Sequence, residues 1–149
     1  MSEAANVHGS GVVADGTGIL LRGPPGSGKS ILALLVIEEM EGTLVADDRL
    51  DLARAGDEVM MSAPEAIAGM VELRGRGIIR LPHAQRAAVH LIVDLVPELV
   101  RMPEESSFLT DLMGVTLPRC PVPQAGVVPP THQLLLIREG LRLLNKKTA

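Results

Sequence analysis

The chain has 149 residues, a hydrophobic share of 46 % and a formal net charge of -4. That fits one aliphatic domain and argues against nucleic acid as the main partner. With Phe108 as the only aromatic residue, the core must be aliphatic and Met-filled; with Cys120 as the only cysteine, no internal disulfide forms and a reducing cytosol is the natural compartment.

Residues 1–6 read as a loose tail, and 7–149 as a single domain. Val7–Ala14 and Thr17–Arg22 flank Asp15-Gly16, a strong hairpin signal. A two-residue loop sets Ala14 opposite Thr17 and, counted outward, carries His8 opposite Gly23. Gly23-Pro24-Pro25-Gly26-Ser27-Gly28-Lys29-Ser30 then matches the phosphate-binding pattern G-x-x-x-x-G-K-[ST] at every fixed position. Its glycines let backbone N–H groups turn inward around an anion. Lys29 supplies charge for the outer phosphates, and the Ser30 hydroxyl suits a magnesium ion. A strand before the loop and a helix from Ser30 to Met40 complete the setting.

Thr43–Ala46 reads as a buried strand ending in Asp47-Asp48. A carboxylate at that place either holds magnesium or accepts a proton from an attacking hydroxyl; a solvated strand end is the structural alternative. Asp48 either positions water or phosphate or caps a turn. A second hairpin is expected over Arg49–Ala53 and Glu58–Ser62, and a short helix over Pro64–Met70. In Val71–Ile79, Glu72, Arg74 and Arg76 make a basic bend able to touch anionic groups, although a polar loop before a strand looks the same. Gly77–Arg80 and Val89–Leu95 read as strands. From Pro97 the prolines concentrate, which predicts loops and edge segments. Over Thr131–Lys147, Leu134, Ile137, Leu141 and Leu144 share one helix face, with Lys146 and Lys147 at the favourable end of the dipole. No apolar run approaches the roughly 18 residues that span a bilayer, and no signal peptide is visible. A cytoplasmic protein is expected.

The remaining reactive residues favour structural readings. His83, His90 and His132 lack metal-ligand spacing. Cys120 lies between prolines with no base partner in view. Arg22 either touches nucleotide or is a solvated strand residue. Met60-Met61 reads as core filling.

Taken together, His8-Gly9, Gly23–Ser30, Leu44–Asp48 and Val71–Ile79 resemble the catalytic domain of bacterial HPr kinase/phosphorylase, in order and with similar spacing, over residues 7–80. The resemblance implies an α/β P-loop nucleotide-binding fold with a mixed β-sheet. It implies phosphoryl transfer from ATP to a serine of HPr or a related phosphocarrier, with Asp47 as acid/base and His8 assisting it. Lys29 would hold phosphates, and Ser30 with Glu72 would ligate Mg2+. Arg86 stands in place of the family's catalytic arginine, in Leu81–Ala88, where the family has a longer glycine-rich loop. The family's Pro-Val-x-x-Gly-Arg-Asn-like segment, tied to phosphorolysis, is replaced by Pro123–Pro129, so reverse activity is not carried over. The chain is expected to correspond to the short bacterial forms, which lack the separate N-terminal domain of longer members, and the family also implies a homo-oligomer. Two other readings stand beside it: a small-molecule P-loop kinase, disfavoured because no Arg-rich lid follows Pro97, and a nucleotide-binding regulatory module without transfer activity.

Overall fold

The computed structural model describes residues 4–148, with side chains to residue 145. Met1–Glu3 of the expected tail and the side chains of Lys146 and Lys147 lie outside the described residues. The architecture is organised by a six-stranded mixed sheet. Its strands are β2 (Ser10–Ala14), β3 (Thr17–Arg22), β4 (Thr43–Ala46), β10 (Leu91–Val96), β11 (Leu109–Leu112) and β12 (Val115–Pro123), in the order β11-β12-β10-β3-β2-β4. Strands β3 and β12 flank β10 in parallel, while β2 is antiparallel to both β3 and β4. It follows that β3, β4, β10 and β12 all end at one edge of the sheet, where β2 begins.

Alternation along the central strands decides what covers each face. Ile19, Leu21, Leu91, Val93 and Leu95 face one side, packed with Leu32, Val36, Ile137 and Leu141 of helices α1 (Lys29–Glu39) and α2 (Pro130–Thr148). Leu20 and Ile92 face the other side, where a second sheet in the order β1-β5-β6-β9 supplies Leu50, Leu52, Val59 and Met61. Its strands are β1 (Ala4–His8), β5 (Arg49–Ala55), β6 (Glu58–Ser62) and β9 (Arg86–Ala88). Burial on both faces explains why β3 and β10 read as unbroken apolar runs.

The Asp15-Gly16 turn has both residues at positive φ, 52° and 71°, and sets Ala14 opposite Thr17 as the sequence predicts. That register runs only to Ser10↔Leu21. At Gly9 the chain leaves the sheet, its N–H donating to the Asp48 carbonyl at 3.0 Å. His8 therefore lies opposite Arg49 of β5 rather than opposite Gly23, and residues 4–6, expected as tail, belong to β1.

Other expectations are redrawn. The helix expected over Pro64–Met70 is a single 3-10 turn at Glu65–Ile67, because Gly69 turns to φ +76° and Met70 opens a strand. Val71–Ile79 is a separate hairpin of β7 (Met70–Leu73) and β8 (Gly77–Arg80), with β7 packed on α1. The Pro-rich stretch contains the nine-residue strand β12. The Gln124 N–H bonds the Val96 carbonyl of β10, so by alternation the Pro121 and Pro123 nitrogens face away from β10. Strand β11 reaches only Pro118 on that side. Two residues without an N–H donor thus sit where no ladder bond is needed. Leu134, Ile137, Leu141 and Leu144 pack as their spacing predicts, and Met61 fills the core beneath the second sheet.

Candidate active site

The P-loop leaves the end of β3 and turns into α1 through Gly28, a left-handed residue at φ 96° that caps the helix. Gly26 is also left-handed. A Cβ on Gly28 would come within 2.8 Å of Ala125 Cβ, and one on Gly23 within 2.7 Å of Ser27 Oγ. The loop is therefore closed tightly at those two points, and larger residues would open it. Ala125 N–H donates to the Ser27 carbonyl at 3.1 Å, tying the loop to the segment after β12.

Lys29 is buried, 8 % exposed. Its ammonium donates to the Gly23 and Pro24 carbonyls at 2.7 and 3.1 Å and has no carboxylate partner among the described residues. A buried cation held only by neutral carbonyls keeps most of its charge available for an anion. Ser27 Oγ is buried with no hydrogen-bond partner. An orphaned hydroxyl beside an uncompensated ammonium, inside a glycine-curled loop, fits a polyphosphate.

Strand β4 runs parallel to β3, so Asp47 emerges beside the loop. It is 6 % exposed. Ser30 Oγ donates to its Oδ1 at 2.8 Å and approaches Oδ2 at 3.0 Å. Ser10 Oγ donates to Oδ1 at 2.8 Å from the start of β2. Asp48 is exposed and left-handed, at φ 68°, and its backbone makes the turn that re-aims the chain into β5. His8 is exposed at the end of β1, opposite Arg49 and so close in register to the aspartate pair.

The remaining candidates, Glu72, Arg74, Arg76 and Arg86, are exposed and make no hydrogen bond or ion pair to Lys29, Ser30 or Asp47 among the described residues. Glu72 is exposed on β7 opposite Ile78, and Arg74 and Arg76 occupy the β7–β8 turn. Ser30 and Glu72 share no hydrogen bond; the Ser30 hydroxyl is engaged by Asp47. Arg86 is exposed at the start of β9, opposite Ser62. His90 has a structural partner, its Nδ1 accepting the Gly18 N–H at 2.9 Å. Burial pushes the Cys120 thiol up to about 12, partly opposed by Arg119. That suits an inert thiol.

Two groups were not singled out from the sequence. Ser10 is one. The hairpin register with β4 beside β2 places it at the right edge, but nothing in its residue type marks it. The other is an ion cluster on the face turned to the second sheet. Arg22 makes a two-pronged contact with Asp94 at 2.8 and 2.9 Å, and Arg119 Nε donates to the same carboxylate at 2.6 Å. Arg22 is therefore not a free, solvated strand residue; it is ion-paired to its neighbour strand. Burial works to raise the Asp94 carboxyl, but the two guanidiniums outweigh it and hold it below the usual carboxylate range.

A family described as HPr Serine kinase C-terminal domain matches residues 1–123. Among curated relatives, an HPr kinase/phosphorylase of Clostridium tetani is 39 % identical over 82 residues, covering 55 % of this chain and 27 % of that protein. One of Burkholderia lata is 32 % identical over 138 residues, covering 85 % of this chain and 42 % of that protein. The chain thus spans less than half the length of these relatives. The solved structure of the Hpr(Ser) kinase/phosphatase from Coxiella burnetii superposes with a TM-score of 0.78 at 27 % identity, over 97 % of this chain and 98 % of that one. Motif order, sheet-edge geometry and these matches agree, and the chain belongs to the HPr serine kinase C-terminal domain family.

Proposed function

We propose that the two sheets and two helices, β1 from Ala4 included, form one cytoplasmic kinase domain that transfers the terminal phosphoryl group of ATP to a serine hydroxyl of an HPr-type phosphocarrier. The observation that carries this reading is the contact of Ser30 with Asp47. It joins the phosphate cradle to a buried carboxylate across two strand ends. A carboxylate beside the loop serine can serve the metal of any bound nucleotide; the kinase reading gives Asp47 the further task of taking the proton that the acceptor hydroxyl loses as the new P–O bond forms, and membership of the family favours that task.

In this reading Asp47 takes that proton, and His8 assists from the end of β1. Lys29 and the loop amides hold the charge that grows on the phosphates. A divalent cation such as Mg2+ would neutralise phosphate charge when bound, with Ser30 and Glu72 as its protein ligands, both oxygen donors. Arg86 takes the place of the family's catalytic arginine, and Asp48, Arg74 and Arg76 are assigned to phosphate or substrate contacts. Membership of the family supports HPr as acceptor and a homo-oligomeric assembly. Forward transfer is the proposed reaction.

The test is to incubate the protein with magnesium, labelled ATP and a panel of purified HPr-type carriers, and to map the modified residue. Phosphoserine on a carrier is the expected result. Tight ATP binding with no carrier labelled would overturn the reading in favour of a regulatory module. Label on a small molecule instead would favour a metabolite kinase.

A further inference from the structure

The Asp47 carboxylate has two hydroxyl partners, and their circumstances differ. Ser30 belongs to the P-loop, and its hydroxyl spans both carboxylate oxygens, 2.8 Å from Oδ1 and 3.0 Å from Oδ2. Ser10 belongs to the central sheet. It is 0 % exposed, its backbone is fixed in register opposite Leu21, and its hydroxyl reaches Oδ1 alone, at 2.8 Å. The Asp48 N–H lies 3.4 Å from the same Ser10 oxygen, so one side chain orders both the acid and the turn behind it. A P-loop serine has other work when nucleotide arrives; a serine sealed inside the sheet does not.

Resting on the reading of Asp47 as the proton acceptor, we propose that Ser10 is a positioning residue that ties Oδ1 permanently and thereby leaves Oδ2 as the oxygen facing the acceptor hydroxyl. When Ser30 turns toward the metal–nucleotide, both oxygens lose that donor while Oδ1 keeps Ser10. The carboxylate does not swing, and Oδ2 is the one oxygen left without a hydrogen-bonded side-chain partner. Geometry of this kind matters because proton transfer needs heavy atoms within hydrogen-bond reach in a fixed orientation. Ser10 touches neither substrate nor nucleotide in this scheme; it acts through Asp47.

Two measurements on the full chain decide it. In the first, the Ser10 hydroxyl proton is observed by NMR and assigned by its loss in Ser10→Ala. Sealed from solvent and bonded to a carboxylate, it exchanges slowly. It is expected to persist when magnesium and ADP are added, and to move upfield in Asp47→Asn, where the acceptor loses its charge. A signal that disappears with magnesium–ADP, or one indifferent to Asp47→Asn, overturns the proposal. In the second, Ser10→Ala is assayed for carrier phosphorylation. Its kcat is expected to fall about tenfold or more, the scale of one lost hydrogen bond to a charged group, with KM for ATP within about twofold. An unchanged kcat, or a loss carried entirely by KM, overturns it. Failure of the wild-type protein to label any carrier would sink the kinase reading alone, and Ser10 would then stand or fall on the NMR result.

Discussion

Asp47 and Asp94 are two shielded carboxylates of the same sheet, held by opposite chemistry. Asp47 stands just past the end of β4 and, among the described residues, its carboxylate accepts from two neutral hydroxyls, Ser10 and Ser30. Asp94 sits in β10 and is clamped by two guanidiniums, Arg22 and Arg119. A hydroxyl can donate or accept, so the partners of Asp47 can follow a change in its protonation or its neighbours. A guanidinium only donates, so the partners of Asp94 cannot. One arrangement leaves a carboxylate free to take part in a reaction; the other fixes three strands, β3, β10 and β12, in place beneath the P-loop.

Replacing each carboxylate by its amide is the sharpest way to break the comparison. Asp47→Asn is expected to lower carrier phosphorylation by about 10²- to 10⁴-fold, the range for a lost general base. Its hydroxyl partners can reorient toward the amide, so its stability in denaturant should stay within about 1 kcal/mol of wild type. Asp94→Asn should behave in the reverse sense. It places an amide nitrogen or a single carbonyl before two cations, and unfolding by urea is expected to show a loss of about 3 kcal/mol. Turnover per folded molecule should change little.

The pH dependence follows from the same contrast. The Asp94 carboxyl is held below its unfolded value, so its stabilisation is full above the unfolded value and is lost as pH falls through the folded one. The stability gap between wild type and Asp94→Asn should therefore shrink on acidification below the ordinary carboxylate range, as chemical unfolding across pH would record.

Much of this contrast is hidden in the sequence, and the reason is physical. Asp47 was legible because an apolar strand after a P-loop helix ends in it, and local order along the chain fixes that geometry. The loop itself was legible because each of its residue types has a backbone or charge requirement. Ser10 and the Arg22–Asp94–Arg119 cluster were not, because they depend on which strands become neighbours. Arg22 and Asp94 meet only because β10 lies beside β3 in parallel, a pairing that no local pattern states. His8 shows the same limit: the turn at Asp15-Gly16 fixed the hairpin register correctly, but Gly9 ended the ladder by bonding to Asp48. The proline-bearing strand β12 was missed because single prolines argue against a strand unless one knows which side of it carries partners.

Two smaller effects sharpen the picture. Lys29→Met is expected to weaken ATP binding about 10- to 100-fold by calorimetry, the scale of charge-assisted hydrogen bonds lost to the phosphates, while leaving the Asp47 and Asp94 sites intact. Cys120, buried and hydrogen-bonded to the Leu136 carbonyl with its thiol pushed up to about 12, should resist iodoacetamide at pH 8 in the folded protein. Mass spectrometry should find it modified only after denaturation.

The most direct test sets the two aspartates side by side. Phosphoserine formed on an HPr-type carrier is measured for wild type, Asp47→Asn and Asp94→Asn, each normalised to its folded fraction. The predicted result is phosphoserine from wild type and Asp94→Asn at comparable rates and almost none from Asp47→Asn. Near-wild-type transfer by Asp47→Asn, or loss of transfer confined to Asp94→Asn, would contradict the assignment of Asp47 as the residue that activates the acceptor serine.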